Sequence, residues 1–121
     1  MTQRILVVDD EEPIRAVVAA ALQDEGYDVL EATNGAAALE IANHHSPAVI
    51  LLDMRMPVMD GWEFARRYRL LPGPHAPIVV MTAAVDAGRR GAEIGADGVL
   101  PKPFELDLLL DTVAGYARGE G

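Results

Sequence analysis

The amino-acid sequence predicts an α/β domain built on a doubly wound parallel sheet of five strands, with five helices. Short apolar runs alternate with helical segments along the chain, which favours repeated strand–helix–strand units. Residues 49–52 are apolar without interruption, as in a strand that is buried on both faces of a sheet. The length of 121 residues accommodates one core. We therefore expect a single domain over residues 1–121 and no effector domain in this chain.

The first strands and helices are recognised from their ends. Residues 4–8 form the first predicted strand, and Pro13, behind a run of acids, suits the first turn of a helix. Apolar residues then recur at helical spacing and predict the buried face of this helix: Ile14, Val17, Val18, Ala21 and Leu22. Residues 28–32 form the second strand, and the second helix begins at Asn34.

The second half of the chain continues the alternation. Residues 48–52 and 78–81 form the third and fourth strands, with a helix over about residues 61–70 between them. The segment 86–95 contains glycines, each costing about 1 kcal/mol relative to Ala inside a helix, so we expect a short, displaced or mobile fourth helix. The last elements are a strand over residues 98–100 and a helix over about 105–117, with Leu106, Leu109, Leu110 and Val113 buried.

Composition narrows the classes of function. The net charge of −9 argues against direct binding to nucleic acid or to an anionic membrane. The absence of cysteine excludes disulfides and thiolate metal sites. No apolar run is long enough to span a bilayer, and no signal peptide is recognisable, so we expect a cytoplasmic protein. Lys102 is the only lysine among ten basic residues.

Polar side chains follow four of the predicted strands at the point where each strand ends. They are Asp9 and Asp10, Asp53, Thr82 and Lys102. The carboxyl ends of parallel strands share one edge of the sheet, so we expect these groups to lie close together. Two carboxylates about 5 Å apart repel by roughly 3 kcal/mol at an effective dielectric constant near 20, so the acids need protons or a cation. Oxygen ligands without His or Cys suit Mg²⁺.

A magnesium ion beside an exposed carboxylate, with a hydroxyl and an ammonium group opposite, is an arrangement for phosphoryl transfer. Mg²⁺, Lys102 and Thr82 would each neutralise or hydrogen-bond an equatorial oxygen of the transferring group. Asp53 would then be the nucleophile and would form an acyl phosphate.

Four segments, in order and at suitable spacing, resemble the receiver domains of response regulators in two-component signalling. They are Val7-Val8-Asp9-Asp10-Glu11, Leu52 to Gly61, Met81-Thr82-Ala83, and Gly95 to Phe104. The resemblance covers essentially the whole chain. It implies a flavodoxin-like, three-layer fold with the strand order 2-1-3-4-5, as in chemotaxis receivers.

The resemblance also implies a mechanism. A sensor histidine kinase or a histidine phosphotransfer protein offers a phosphohistidine, and Asp53 accepts the phosphoryl group. Asp10 binds Mg²⁺ directly, Asp9 binds it through water, and the backbone carbonyl of Arg55 completes the protein ligands. The same site later hydrolyses its own acyl phosphate, so the protein is a switch and not an enzyme with an external substrate.

Further roles follow from the same resemblance. Lys102 pairs with the phosphoryl group and is joined to Pro103 by a cis peptide bond. Thr82 moves toward the phosphoryl group, and this movement reshapes the face formed by the fourth helix, fifth strand and fifth helix. An unknown downstream protein would read that face, with the receiver a monomer or a phosphorylation-dependent dimer.

One position departs from the family pattern, and two others lie at positions that tune the family's chemistry. Val99 occupies the position where many relatives have Tyr or Phe, so the aromatic half of the switch is absent and coupling to the output face is expected to differ. Arg55 and Ala84, two residues past Asp53 and Thr82, lie where the family tunes dephosphorylation.

Three other functions compete with this interpretation of the sequence. A pseudo-receiver would serve only as an interaction scaffold, which the Val99 departure allows. A phosphatase with an aspartate nucleophile would need a second acid where this chain has Arg55. A flavin-binding domain of similar architecture would need a phosphate-binding loop after the first strand, but Asp9 and its acidic neighbours would repel a phosphate.

Overall fold

The computed structural model describes residues 2–83 and 86–118. Strands and helices alternate along the chain: β1 Arg4–Val8, α1 Glu12–Asp24, β2 Asp28–Ala32, α2 Gly35–His44, β3 Val49–Asp53, α3 Gly61–Tyr68, β4 Ile78–Ala83, α4 Ala87–Ile94, β5 Gly98–Lys102 and α5 Leu106–Ala117. The five strands are all parallel and form one sheet in the order β2-β1-β3-β4-β5. The predicted fold class and strand order are therefore confirmed.

The sheet separates two apolar cores because successive strand residues point to opposite faces. Ile50 and Leu52 of β3 pack on the face covered by α2, α3 and α4. Val49 and Leu51 pack on the face covered by α1 and α5. Every residue of β3 is buried, which explains the uninterrupted apolar sequence of residues 49–52.

Caps and close contacts hold the helices that flank the sheet. Asn34 accepts a hydrogen bond from the N–H of Ala37 and so starts α2, while Asp60 does the same for Glu63 in α3. At Gly61, a Cβ atom would lie 2.8 Å from the backbone oxygen of Asp53, so only glycine allows α3 to begin so close to the end of β3.

Two residues that the helical pattern placed in the core are exposed instead. Val17 in α1 is 53% exposed and Leu106 in α5 is 41% exposed. The buried residues of α1 are Val18, Ala19 and Leu22, so the inward face of the helix is displaced from the predicted one. Val17 and Leu106 both border an open cleft at the carboxyl edge of the sheet, where none of the described helices or strands covers them.

The last strand is longer than predicted, and the fourth helix is short as predicted. β5 continues through Pro101 to Lys102, because it is an edge strand and a missing N–H costs little there. α4 has only eight residues and ends at Gly95, which has a φ of 62°. Within the described residues, none of the helices has the length and apolar character that a bilayer-spanning segment requires.

Candidate functional site

The acidic residues predicted to share one edge of the sheet do so. β1 and β3 are hydrogen-bonded neighbours, so Asp9 and Asp10 after β1 come close to Asp53 at the end of β3. One carboxylate oxygen from each of the three residues lies within 4.8 Å of the others. The sequence prediction that these carboxylates converge agrees with this geometry.

Lys102 lies between two of these carboxylates. Its Nζ donates a hydrogen bond to Oδ2 of Asp9 at 3.1 Å and lies 3.8 Å from Oδ1 of Asp53. Asp9 is fully buried, and its Oδ1 accepts a hydrogen bond from the N–H of Glu11 at 2.9 Å. The ammonium therefore compensates part of the negative charge and is already at the position from which it could contact a group on Asp53.

The environment of Asp53 raises the pKa of its carboxyl group from the ordinary value of 3.8 to about 6. Burial is the largest cause, since the residue is only 8% exposed. The Lys102 ammonium opposes the rise, while the charges of Asp9 and Asp10 add to it. A neighbouring cation would favour the ionised form of this carboxyl group.

The donor set fits a hard divalent cation. The cluster offers only carboxylate oxygens, which are ligands that Mg²⁺ prefers, and its three acids face one ammonium group. Arg55 is exposed, and its guanidinium lies over the ring of Trp62 at 5.8 Å from the centroid. The participation of the Arg55 backbone carbonyl as a ligand stays a prediction.

An open cleft of about 740 Å³ leads to the charged site. Asp53, Thr82 and Lys102 lie at its polar end, and Thr82 is only 9% exposed. Its apolar wall consists of Pro13, Ile14, Val17, Val18, Pro103, Phe104 and Leu106. Sequence reasoning missed this wall because it assigned Val17 and Leu106 to the core. The sequence indicated this wall only through the positions of Val17 and Leu106 near the starts of the helices that follow β1 and β5.

The residues assigned to the switch have distinct surroundings. Val99 is partly buried beneath α4, where a Cβ atom on Gly91 would lie 2.6 Å from its Cγ2. The peptide bond between Lys102 and Pro103 is cis, as the resemblance implied. Ala84 lies outside the described residues.

Arg15 was not singled out from the sequence, although it contacts the site. Its Nη1 donates a hydrogen bond to the backbone oxygen of Asp9 at 2.9 Å, and its Nε donates to Oε1 of Glu31 at 3.1 Å. Its position near the start of the helix that follows the acidic run was the only signal in the sequence.

Comparison with known proteins agrees with this geometry. The chain matches the family model of the response regulator receiver domain over residues 5–114. It is 36% identical to sporulation initiation phosphotransferase F of Bacillus subtilis over 118 residues, which are 96% of this chain and 94% of the relative. It is 42% identical to response regulator MprA of Mycobacterium ulcerans over 120 residues, which are 98% of this chain and 51% of the relative. The chain thus spans about half the length of MprA.

Solved structures give the same result. The chemotaxis response regulator CheY4 of Vibrio cholerae is similar, with a TM-score of 0.87 and 36% identity over 96% of this chain and 99% of that chain. A CheY-like receiver domain protein of Methanospirillum hungatei has a TM-score of 0.86 and 26% identity over 99% of this chain and 97% of that chain. Receiver domains bind Mg²⁺ in an acidic pocket, and response regulators interact with histidine kinases. We conclude that this chain belongs to the response regulator receiver domains, the phosphoacceptor signalling modules of two-component systems.

Proposed function

We propose that the chain is a magnesium-dependent switch in which Asp53 accepts a phosphoryl group from a phosphohistidine. The donor would be a sensor histidine kinase or a histidine phosphotransfer protein. The observation that carries the proposal is the position of Asp53, whose carboxylate lies beside two further carboxylates and Lys102 at the end of an open cleft.

In the proposed transfer, an oxygen of ionised Asp53 forms a bond to phosphorus while the phosphorus–nitrogen bond of the donor breaks. The bonding electron pair returns to the imidazole nitrogen of the donor. Asp9, Asp10 and Asp53 would hold Mg²⁺ together with the Arg55 carbonyl, and the ion would neutralise charge on the phosphoryl oxygens. Lys102 and the Thr82 hydroxyl would contact the remaining oxygens. Hydrolysis at the same site would return Asp53 to its free form.

The apolar wall of the cleft supports docking of a helix from the phosphodonor protein. A donor must bring its phosphohistidine to Asp53, and the cleft is an approach that the described residues leave open. Val17 and Leu106 expose apolar surface beside that approach, as expected of a surface that a partner covers. The cleft therefore fits an amphipathic helix with apolar side chains on the face that carries the histidine.

Signal output is proposed to occur through α4, β5 and α5. Thr82 belongs to β4 next to β5, so a shift of its side chain acts on the strand that carries Val99. The close contact between Gly91 and Val99 would transmit the shift to α4 without an aromatic ring. The downstream protein would recognise the repositioned α4.

The proposal is tested by incubation with acetyl phosphate and Mg²⁺, followed by intact mass measurement. We expect the wild type to gain one phosphoryl group, and we expect no gain in Asp53→Asn or in the wild type with EDTA. Asp60→Asn is the matched control, because Asn still caps α3 and Asp60 lies outside the carboxylate cluster. An unmodified wild type would support a pseudo-receiver scaffold instead, and a modified Asp53→Asn would overturn the assignment of the acceptor.

A further inference from the structure

We propose that Arg15 is a positioning residue that sets the geometry of the metal-binding carboxylates, an inference that rests on the magnesium-dependent function proposed above. Arg15 lies near the start of α1, and its side chain reaches back to the end of β1. It donates to the backbone oxygen of Asp9 and to the carboxylate of Glu31, at 2.9 and 3.1 Å. The Arg15 side chain is 15% exposed and its hydrogen bond to the Asp9 oxygen is partly buried, whereas the Glu31 side chain is 43% exposed.

The carbonyl that Arg15 holds belongs to the peptide group that joins Asp9 to Asp10. Because a peptide group is planar, a fixed carbonyl also fixes the plane from which the Asp10 side chain projects. The Asp9 carboxylate has its own restraints, namely the N–H of Glu11 and the ammonium of Lys102. Asp10 is exposed, so the direction of its carboxylate is set mainly by its backbone. Arg15 thus acts chiefly on Asp10.

Glu31 holds the guanidinium from the other side. It belongs to β2, which pairs with β1 in the sheet, so the contact connects α1 to the strand beside the site. A planar guanidinium presents several N–H groups in a fixed fork and can contact the Asp9 carbonyl and the Glu31 carboxylate together. A lysine ammonium keeps the charge but lacks the fork.

Charge and positioning predict opposite effects when Arg15 is replaced. If Arg15 acted only through its charge, Arg15→Met would remove a repulsion and Mg²⁺ would bind more tightly. If Arg15 positions the carboxylates, Arg15→Met weakens Mg²⁺ binding, and Arg15→Lys weakens it as well. We expect a loss of about tenfold in affinity for both variants, the scale usual for residues that support metal ligands.

The experiment is a calorimetric titration of each purified protein with MgCl₂, combined with thermal unfolding in EDTA. Arg4→Met is the matched control, because Arg4 pairs with Asp28 of β2 at the other end of the same two strands, with 3.8 Å between Nε and Oδ2. Unfolding in EDTA reports whether each variant is folded before metal is added. Glu31→Gln leaves Arg15 in place and is expected to lose less Mg²⁺ affinity than the Arg15 variants do. This variant provides a second test if Arg15→Met does not fold.

The outcomes separate this inference from the function on which it rests. A wild type that does not bind Mg²⁺ overturns both. A wild type that binds Mg²⁺, with Arg15→Met binding as tightly or more tightly, overturns the positioning role alone. Wild-type affinity in Arg15→Lys, or an equal loss in Arg4→Met, also overturns it. Weaker binding in both Arg15 variants, with unchanged binding in Arg4→Met, supports it.

Discussion

Replacement of Asp53 by asparagine is predicted to stabilise the metal-free protein at neutral pH. The pKa of this carboxyl group is raised from 3.8 to about 6, chiefly by burial. Between these two pH values the folded state keeps a proton that the unfolded state releases. The free energy of unfolding therefore falls as pH rises through this window, and the full penalty is present above about pH 6.

The size of the effect follows from the shift in pKa. A rise of about two pKa units corresponds to roughly 3 kcal/mol. Asparagine has nearly the same shape and carries no charge, so Asp53→Asn should recover this amount at pH 7.5 and well under 1 kcal/mol at pH 4. For a domain of 121 residues, 3 kcal/mol corresponds to about 12 °C in Tm.

The assay is urea unfolding in EDTA at pH 4, 5.5 and 7.5, followed by circular dichroism. Asp60→Asn is the control, since it makes the same change of side chain at a residue outside the carboxylate cluster, where asparagine can still cap α3. Added Mg²⁺ should then stabilise the wild type more than Asp53→Asn, because only the wild type keeps the complete carboxylate cluster. The reasoning would be refuted by an Asp53→Asn variant that gains no stability at pH 7.5, or that gains the same amount at pH 4.

Other substitutions test separate parts of the structure. Gly61→Ala places a Cβ atom 2.8 Å from the backbone oxygen of Asp53 and should lower the free energy of unfolding by about 1–3 kcal/mol. Gly115→Ala is the control and should not lower it, because a Cβ atom there has no neighbour within 4 Å. Urea unfolding compares the two variants, and an equal loss of stability in both would contradict the expectation. Lys102→Gln removes the positive charge of the ammonium group near Asp53, so calorimetry should show tighter Mg²⁺ binding, while phosphorylation by acetyl phosphate should become slower. Weaker Mg²⁺ binding in this variant would contradict the expectation. Val17→Glu should slow labelling by a histidine phosphotransfer protein and leave labelling by acetyl phosphate unchanged, and equal loss with both donors would count against a docking role.

The fold and the acidic cluster were predictable because strand ends are marked in the sequence. In a doubly wound parallel sheet every strand delivers its carboxyl end to one edge, so Asp10 and Asp53 converge whatever the details of the helices. The uninterrupted apolar run of β3 placed that strand in the centre of the sheet, where both of its faces are buried.

The apolar wall and the support from Arg15 were not predictable in the same way. Helical spacing shows that Val17 lies on the same face of α1 as core residues. It does not show that, at Val17, α1 extends beyond the elements that cover its inner face. The contact of Arg15 with the Asp9 carbonyl depends on a rotamer and on the distance between α1 and β1. Neither quantity is encoded in residue spacing.

The central claim is that the crowded acids make Asp53 the phosphoacceptor. Borohydride reduces an aspartyl phosphate to homoserine, so reduction followed by peptide mapping locates the acyl phosphate at a single residue. After treatment with acetyl phosphate and Mg²⁺, we predict homoserine at position 53 and none when EDTA replaces the metal. Homoserine at another acidic residue, or equal conversion of Asp53 with and without Mg²⁺, would contradict the account.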